Sequence, residues 1–213
     1  MSTLILRLTG VVLTLIGLVG AVIGGWFLTN IGTSGTATFT ADPAQRVVVL
    51  APDVLNRVDH PIEVTATGAG DLWAGTARPS DVEALLGDGS RVEVTGVEVA
   101  DWSLVGADAG KGRTVDPAAL DIWQQTATGS GEITHTIEQA DAPQSLVISA
   151  PAGAEVDSVT MTVADSGWGT TALVVLIVGL LLLAAGLALL VRAGLVGAVR
   201  GRISRSTRQE TSA

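Results

Sequence analysis

Two histidines, one cluster of acids and a tryptophan–arginine pair are the side chains here with types suited to chemistry. His135 sits in "ITHTI", with Ile133 and Ile137 on its own face if the stretch is a strand. An imidazole there can act as a base or a metal ligand, or be a half-buried histidine with a satisfied ring nitrogen, the reading an isolated His favours. His60, in "DHP", reads as a turn residue, and zinc would need more ligands at meaningful spacing than the chain offers. Asp81, Glu83 and Asp88 could approach a calcium ion, but the alternating D-x-[DN]-x-[DN]-G loop is missing. Acids in the first turn of a helix are also stabilised by its dipole, which accounts for Asp81 and Glu83 without a ligand. Trp73 and Arg78, in "DLWAGTARPSDVEALLGDG", exceed what a scaffold corner needs and form the candidate binding surface.

The enzyme motifs that need a defined backbone context are absent. There is no G-x-S-x-G, no Walker-type loop and no dinucleotide glycine motif between a strand and a helix. The chain has no cysteine, which removes thiol nucleophiles, thiolate metal sites and disulfides. The expectation is a protein that is not an enzyme, with no catalytic residue, cofactor or metal.

Those residues must be positioned by what lies between two apolar runs. Leu8–Leu28 and Thr171–Val191 each hold 21 residues without a charge. A helix of roughly 20 apolar residues crosses about 30 Å of hydrocarbon, so both read as transmembrane helices. The rival for the first run is a cleaved signal sequence ending near Gly35-Thr36-Ala37, although the run is longer than the usual apolar core of such a signal. Arg7 precedes the first run, and Arg192, Arg200, Arg202, Arg205 and Arg208 follow the second. Basic flanks stay in the cytoplasm, and four tail arginines can also contact anionic lipid. Trp26 and Phe27 close the first run and Trp168 opens the second, as expected of membrane-interface anchors. The segments are then a cytoplasmic N-terminus (1–7), a first span (8–28), an extracytoplasmic domain (29–170), a second span (171–191) and a basic cytoplasmic tail (192–213). The middle segment holds 6 basic and 20 acidic residues, a formal −14 against −9 for the whole chain. That charge argues against nucleic acid and anionic polymers as partners.

Gly17, Gly20, Ala21 and Gly24 make a small-residue stripe on the first span. Such residues let helices approach closely, and the partner can be the second span, a second copy or another membrane protein. No acid, base or amide lies inside either run, which counts against an ion path or proton relay.

The middle segment is dense in short runs rich in Val, Ile and Thr: residues 46–50, 62–67, 72–77, 91–99, 121–128, 131–138, 145–149 and 158–163. Eight strands predict an all-β domain, sandwich-like or a small barrel, with hairpins at Thr128–Gly131 and Pro151–Glu155. In "RVEVTGVEV" the valines change parity at Gly96, and a β-bulge there would keep Val92, Val94, Val97 and Val99 inward. One short helix is expected at "SDVEALL", with Ser80 and Glu83 as a capping box and Gly87 and Gly89 as its stop. Residues 102–117 remain unassigned.

"LWAGTARPSDVEALLGDG", "DIWQQTATGSGEITHTIE" and "SLVISAPAGAEV", in that order before a C-terminal span, resemble a group of uncharacterised two-span membrane proteins of high-GC Gram-positive bacteria. The resemblance covers about Asp71 to Val191. It implies location in the plasma membrane and a shared β-rich outer domain, and it transfers no functional residue. The leading expectation is an envelope or membrane-complex accessory protein that presents a binding surface. A sensor relaying outside binding to the basic tail is the alternative, and a hydrolase using His135 and scattered acids comes third.

Overall fold

The computed structural model describes residues 2–113 and 115–210, with side chains for 4–113 and 115–194. The chain divides into two compact units: residues 36–165, and a helical unit made of both ends.

The helical unit pairs α1 (Ser2–Ile31) with α4 (Ser166–Glu210). Both stretches remain helical beyond the apolar runs, and several of their polar side chains bond back to the helix backbone. Thr14 Oγ1 donates to Gly10 O at 2.8 Å, Thr29 Oγ1 to Gly25 O at 2.8 Å and Asn30 Nδ2 to Trp26 O at 2.7 Å. The helices run antiparallel, Gly10 lying against Leu190, Gly17 against Leu183 and Gly24 against Leu176. Glycine makes this approach possible. A Cβ on Gly24 would stand 2.5 Å from Leu176 N, and one on Gly186 2.5 Å from Thr14 N. Cβ atoms on Gly17 and Gly179 would run into Leu183 N and Ala21 N. The outward faces stay apolar: Leu8, Ile16, Val22, Leu181 and Val191 are 55–66% exposed.

The second unit is β1 (Thr36–Ala41), β2 (Val47–Leu50), α2 (Pro52–Leu55), β3 (Ile62–Ala77), α3 (Pro79–Leu86), β4 (Arg91–Glu98), β5 (Ser103–Ala109), β6 (Gln125–Ile137), β7 (Ser145–Ser149) and β8 (Val156–Ala164). Two single-turn 3-10 segments, Pro117–Ala119 and Gln139–Asp141, flank β6. The long strand β3 organises the sheet. β6 pairs with it at both ends, while β8 pairs with Ile62–Gly68 and β7 with Trp73–Ala77. A strand has two edges, so β7 and β8 lie end to end along the edge that β6 does not use. Their far edges take β2 and β1, which join β4 and β5, closing a seven-strand, barrel-like ring with β6 outside it. The closure between β1 and β5 is thin, resting on Thr40 opposite Ser103.

This corrects several expectations. The β-rich domain is one barrel-like sheet, the second of the two expected architectures, rather than a two-sheet sandwich. Residues 62–67 and 72–77 are halves of one bulged strand, and residues 125–128 and 131–137 are halves of another. Thr128–Gly131 is therefore a bend inside β6, not a hairpin. It lies where β3 shifts register between Thr67 and Asp71, and Gly131 (φ +77) and Gly70 (φ +81) take the left-handed conformations that bend requires. Pro151–Glu155 is not a hairpin either, since it links two strands that do not pair with each other. Asp121–Gln124 lies outside any strand, whereas β1 and β5 are strands that sequence patterning missed. The register does shift at Gly96. Val92 and Val94 are buried there, while Val97 is half-buried and Val99 39% exposed, so the shift does not carry all four valines inward.

The stretch formed by β2, β7 and the second half of β3 is buried on both faces. Val48, Leu50, Leu146, Ile148 and Ala74 fill the ring interior. Val47, Val49, Val147 and Ala77 on the other face are covered by Val82 and Leu86 of α3. This double burial explains why β2 and β7 read as continuous apolar runs.

α3 is the expected helix with a different start. Pro79 occupies its first turn and Arg78 is the N-cap, without a side-chain cap. Ser80 Oγ bonds Asp81 Oδ1 at 3.3 Å instead of capping, so no capping box forms. α2 is a second short helix that was not expected. Arg91, 9% exposed, fastens the end of α3. Its Nη1 donates to Gly87 O at 2.9 Å and Gly89 O at 3.0 Å, and its Nε to Glu93 Oε1 at 2.8 Å.

Candidate functional site

The ends of three neighbouring strands converge beside α3. β3 stops at Ala77 because Arg78-Pro79 turns the chain into α3. β6 starts at Gln125, opposite Thr76, and β7 starts at Ser145, opposite Ala77. The segments leaving or entering these strands line a surface concavity of about 430 Å³: Arg78, Pro79 and Ser80 on one side, Gln124 on another, and Asp141, Ala142 and Pro143 on the third.

Arg78 is exposed, and its guanidinium makes no hydrogen bond or ion pair among the described residues. Asp141 Oδ2 accepts only a long contact from Gln125 Nε2, at 3.4 Å. The peptide carbonyl of Asp141 accepts from Gln144 Nε2 at 2.9 Å, which ties this wall to the start of β7. A positive and a negative side chain thus line one small space without pairing.

Trp73, the other half of the expected binding surface, is not part of it. Its half-buried ring lies across Gly75 and meets Trp123 edge to face, with centroids 4.7 Å apart. Both rings pack on the cluster beneath α3, and Trp123 Nε1 donates to Pro117 O at 2.9 Å. The structure therefore separates the pair: Trp73 supports the wall and Arg78 faces the space. Gln124 and Asp141 were missed, because they reach the concavity only through the β3–β6 and β3–β7 pairings. The one local cue was Trp123 beside Gln124, a large ring just before a strand.

His135 is buried, at 7% exposure, on the ring-interior face with Ile133, Ile137, Val64 and Met161. Its Nε2 is buried without a partner, which corrects the expected satisfied nitrogen. Burial pushes its pKa below 6.5 by desolvating the imidazolium. Between that lowered value and 6.5 the unfolded chain binds a proton that the folded chain refuses, so stability falls as pH drops below about 6.5. Urea unfolding of the full chain in mild detergent at pH 7.5 and pH 5 should show this loss. His135→Leu should lose less between the two pH values, and equal losses would refute the assignment. His60 lies in a bend, 3.8 Å from Asp165. Among the described residues, no three His, Asp or Glu side chains converge as a metal site would require.

In the helical unit, Gly17, Gly20, Ala21 and Gly24 face α4 of the same chain, so of the partners open to the stripe the second span is the one that fills it. Trp26, edge to face with Phe27 at 4.8 Å, lies at the same end as Trp168, since Gly169 abuts Thr33 and Gly35. Arg7 and Arg192 are exposed at the other end. The side chains of Arg200, Arg202, Arg205 and Arg208 lie outside the described residues.

No family model matches the chain, and no curated protein does. Among solved structures it is similar to hydroquinone 1,2-dioxygenase from Sphingomonas sp. TTNP3 with 4-hydroxybenzoate bound, at 7% identity and a TM-score of 0.26, covering 61% of this chain and 58% of that one. It is also similar to Drosophila melanogaster CENP-C bound to CAL1, at 11% identity and 0.24, over 61% and 64% of the two chains. A third likeness is to PirA, at 11% and 0.24, over 61% and 93%. The chain thus spans about three fifths of the first two, and scores this low carry neither fold nor function across.

Proposed function

We propose that the chain is a non-enzymatic accessory protein of a bacterial envelope or membrane complex, with α1 and α4 crossing the plasma membrane. Both termini are cytoplasmic, and the β-domain is presented outside with the Arg78 concavity as its binding surface. The observation that carries this reading is the outer surface of the helix pair. Leu, Ile and Val side chains more than half exposed would be costly in water and are at home in hydrocarbon. The orientation is supported by Arg7 and Arg192 at one end and the tryptophans at the other. A membrane-protein partner or second copy would have to use the lipid-facing surface or the β-domain, since the glycine stripe is already filled.

The absence of native cysteine makes the topology directly testable. Thr128→Cys in the β-domain should react with a membrane-impermeant maleimide on intact cells, and Ser206→Cys in the tail only after lysis. The reverse pattern would overturn the orientation.

A further inference from the structure

We propose that the concavity between Arg78 and Asp141 binds a short zwitterionic peptide with small side chains, its carboxylate on Arg78 and its free ammonium on Asp141. The inference rests on the reading of this concavity as the domain's binding surface and names its ligand class.

The first support is the state of Arg78. Arg46 is tied to Ala150 O and Asp116, Arg57 to Asp53 O, and Arg91 to Glu93 and two carbonyls, whereas the exposed Arg78 and Arg113 have no side-chain partner among the described residues, and of these two Arg78 lines the concavity. Arg78 is left with its planar fork of donors directed to none of them, and that fork matches a carboxylate bidentately. The second is Asp141, an acceptor on the same cavity whose one side-chain contact is at 3.4 Å, beyond normal hydrogen-bond length. The two opposite charges share a cavity yet form no ion pair, so the space between them suits a ligand carrying both complementary charges.

Size and lining narrow the class. A volume of about 430 Å³ lies in the lower part of the ~300–1,000 Å³ range of small-molecule sites, which fits a ligand of dipeptide size. Pro79, Ala142 and Pro143 give short, stiff apolar walls that admit small side chains. Gln124 offers an amide that can donate to and accept from a peptide group. A ligand with only one charge would leave either Arg78 or Asp141 unmatched.

The test uses the full chain in lipid nanodiscs, titrated calorimetrically with alanyl-alanine, its methyl ester and its N-acetyl derivative. The free dipeptide is expected to bind, and each blocked form to bind about 10-fold more weakly or worse, the scale of one lost charge-assisted hydrogen bond. Arg78→Gln should erase the preference for acid over ester while keeping the preference for the free amine. Asp141→Asn should do the converse. Both side chains lie on the surface concavity, so loss of folding is not expected, and far-UV circular dichroism checks it. No binding by any of the three peptides, equal binding by all three, or discrimination unchanged in Arg78→Gln would overturn the proposal. Failure here with the expected maleimide pattern refutes the ligand class alone, whereas binding with a reversed pattern refutes the membrane orientation alone.

Discussion

Replacing Gly179 with leucine should drive the two apolar helices apart. Gly179 lies against α1, and a Cβ there would run into the backbone of Gly20 and Ala21. Backbone cannot rotate away as a flexible side chain can, so the added volume must be met by separation of the helices. Helices packed through glycine sit near the short end of the ~8–10 Å range of interaxial distances, and a leucine contact moves them to the long end or beyond. Because the chain has no cysteine of its own, spin labels can be placed cleanly at Val22→Cys and Leu181→Cys, both on the outward face. Pulsed electron–electron distance measurement in nanodiscs should give a distribution about 2 Å longer and broader in the Gly179→Leu background. Gly194→Ala is the control, since nothing stands within 4 Å of its Cβ position, and it should leave the distribution unchanged. An unchanged distance in Gly179→Leu would mean that the glycine contacts do not set the packing. The effect is expected to be large because Gly10, Gly17 and Gly20 of α1 meet Gly179 and Gly186 of α4 along one seam that continues to Gly24 against Leu176, and one wedge opens it for the others.

What sequence reading recovered follows from how local each signal is. The two long helices were legible because hydropathy is summed over many residues. β2 and β8 were legible because β-branched residues dominate them, β7 because it is a short apolar run, and β3 only as two separate pieces on either side of Gly68–Asp71. β5, "SLVGADA", carries two alanines, a glycine and an aspartate, and is a strand because the β4 hairpin partner imposes it. β1, "TATFTA", alternates threonine with Ala37, Phe39 and Ala41 next to a span, and its start overlaps the possible cleavage site at Gly35-Thr36-Ala37. Both hairpin errors share a cause. Gly, Ser and Pro mark a departure from straight backbone, and the same residues serve a reversal or a bend along one edge. At the site, Arg78 stood out by type, but its neighbours Gln124 and Asp141 are brought there by pairings 46 to 63 positions distant along the chain. Trp73 also stood out by type, and sequence cannot say that its ring packs on the face of β3 that α3 covers. Arg91 drew no notice, since a surface arginine and a helix-fastening one look alike until Gly87 O and Gly89 O are in place.

The same corner yields the other large effect: Gly75→Val should eject the Trp73–Trp123 pair. Gly75 is buried, with the Trp73 ring lying directly over its Cα. A Cβ there would meet Trp73 Cζ2 at 2.6 Å and Trp123 Cδ2 at 3.0 Å. A valine projects further than Cβ, and the strand beneath cannot yield because β6 and β7 hold it on both edges. The rings must therefore move, giving up their edge-to-face contact and their cover over Val47, Val49 and Val147. Losing the packing of a fully buried Trp costs about 3–5 kcal/mol in substitution series; these half-buried rings lose less, overpacking adds about 1–3 kcal/mol, and a total loss of about 3 kcal/mol is expected. Tryptophan emission should shift to the red, and the domain should unfold at markedly lower urea. Trp73→Phe, which keeps an aromatic over Gly75, should lose far less. The consequence for binding follows from the chain: Gln124 follows Trp123, and Arg78 leads into the helix that the pair helps to hold. Gly75→Val should thus weaken any ligand of the concavity without touching a residue that lines it. If instead the urea midpoint and emission of Gly75→Val match those of the parent, Trp73 is not the support described, and the positions of Gln124 and Arg78 must be held by β6 and α3 alone.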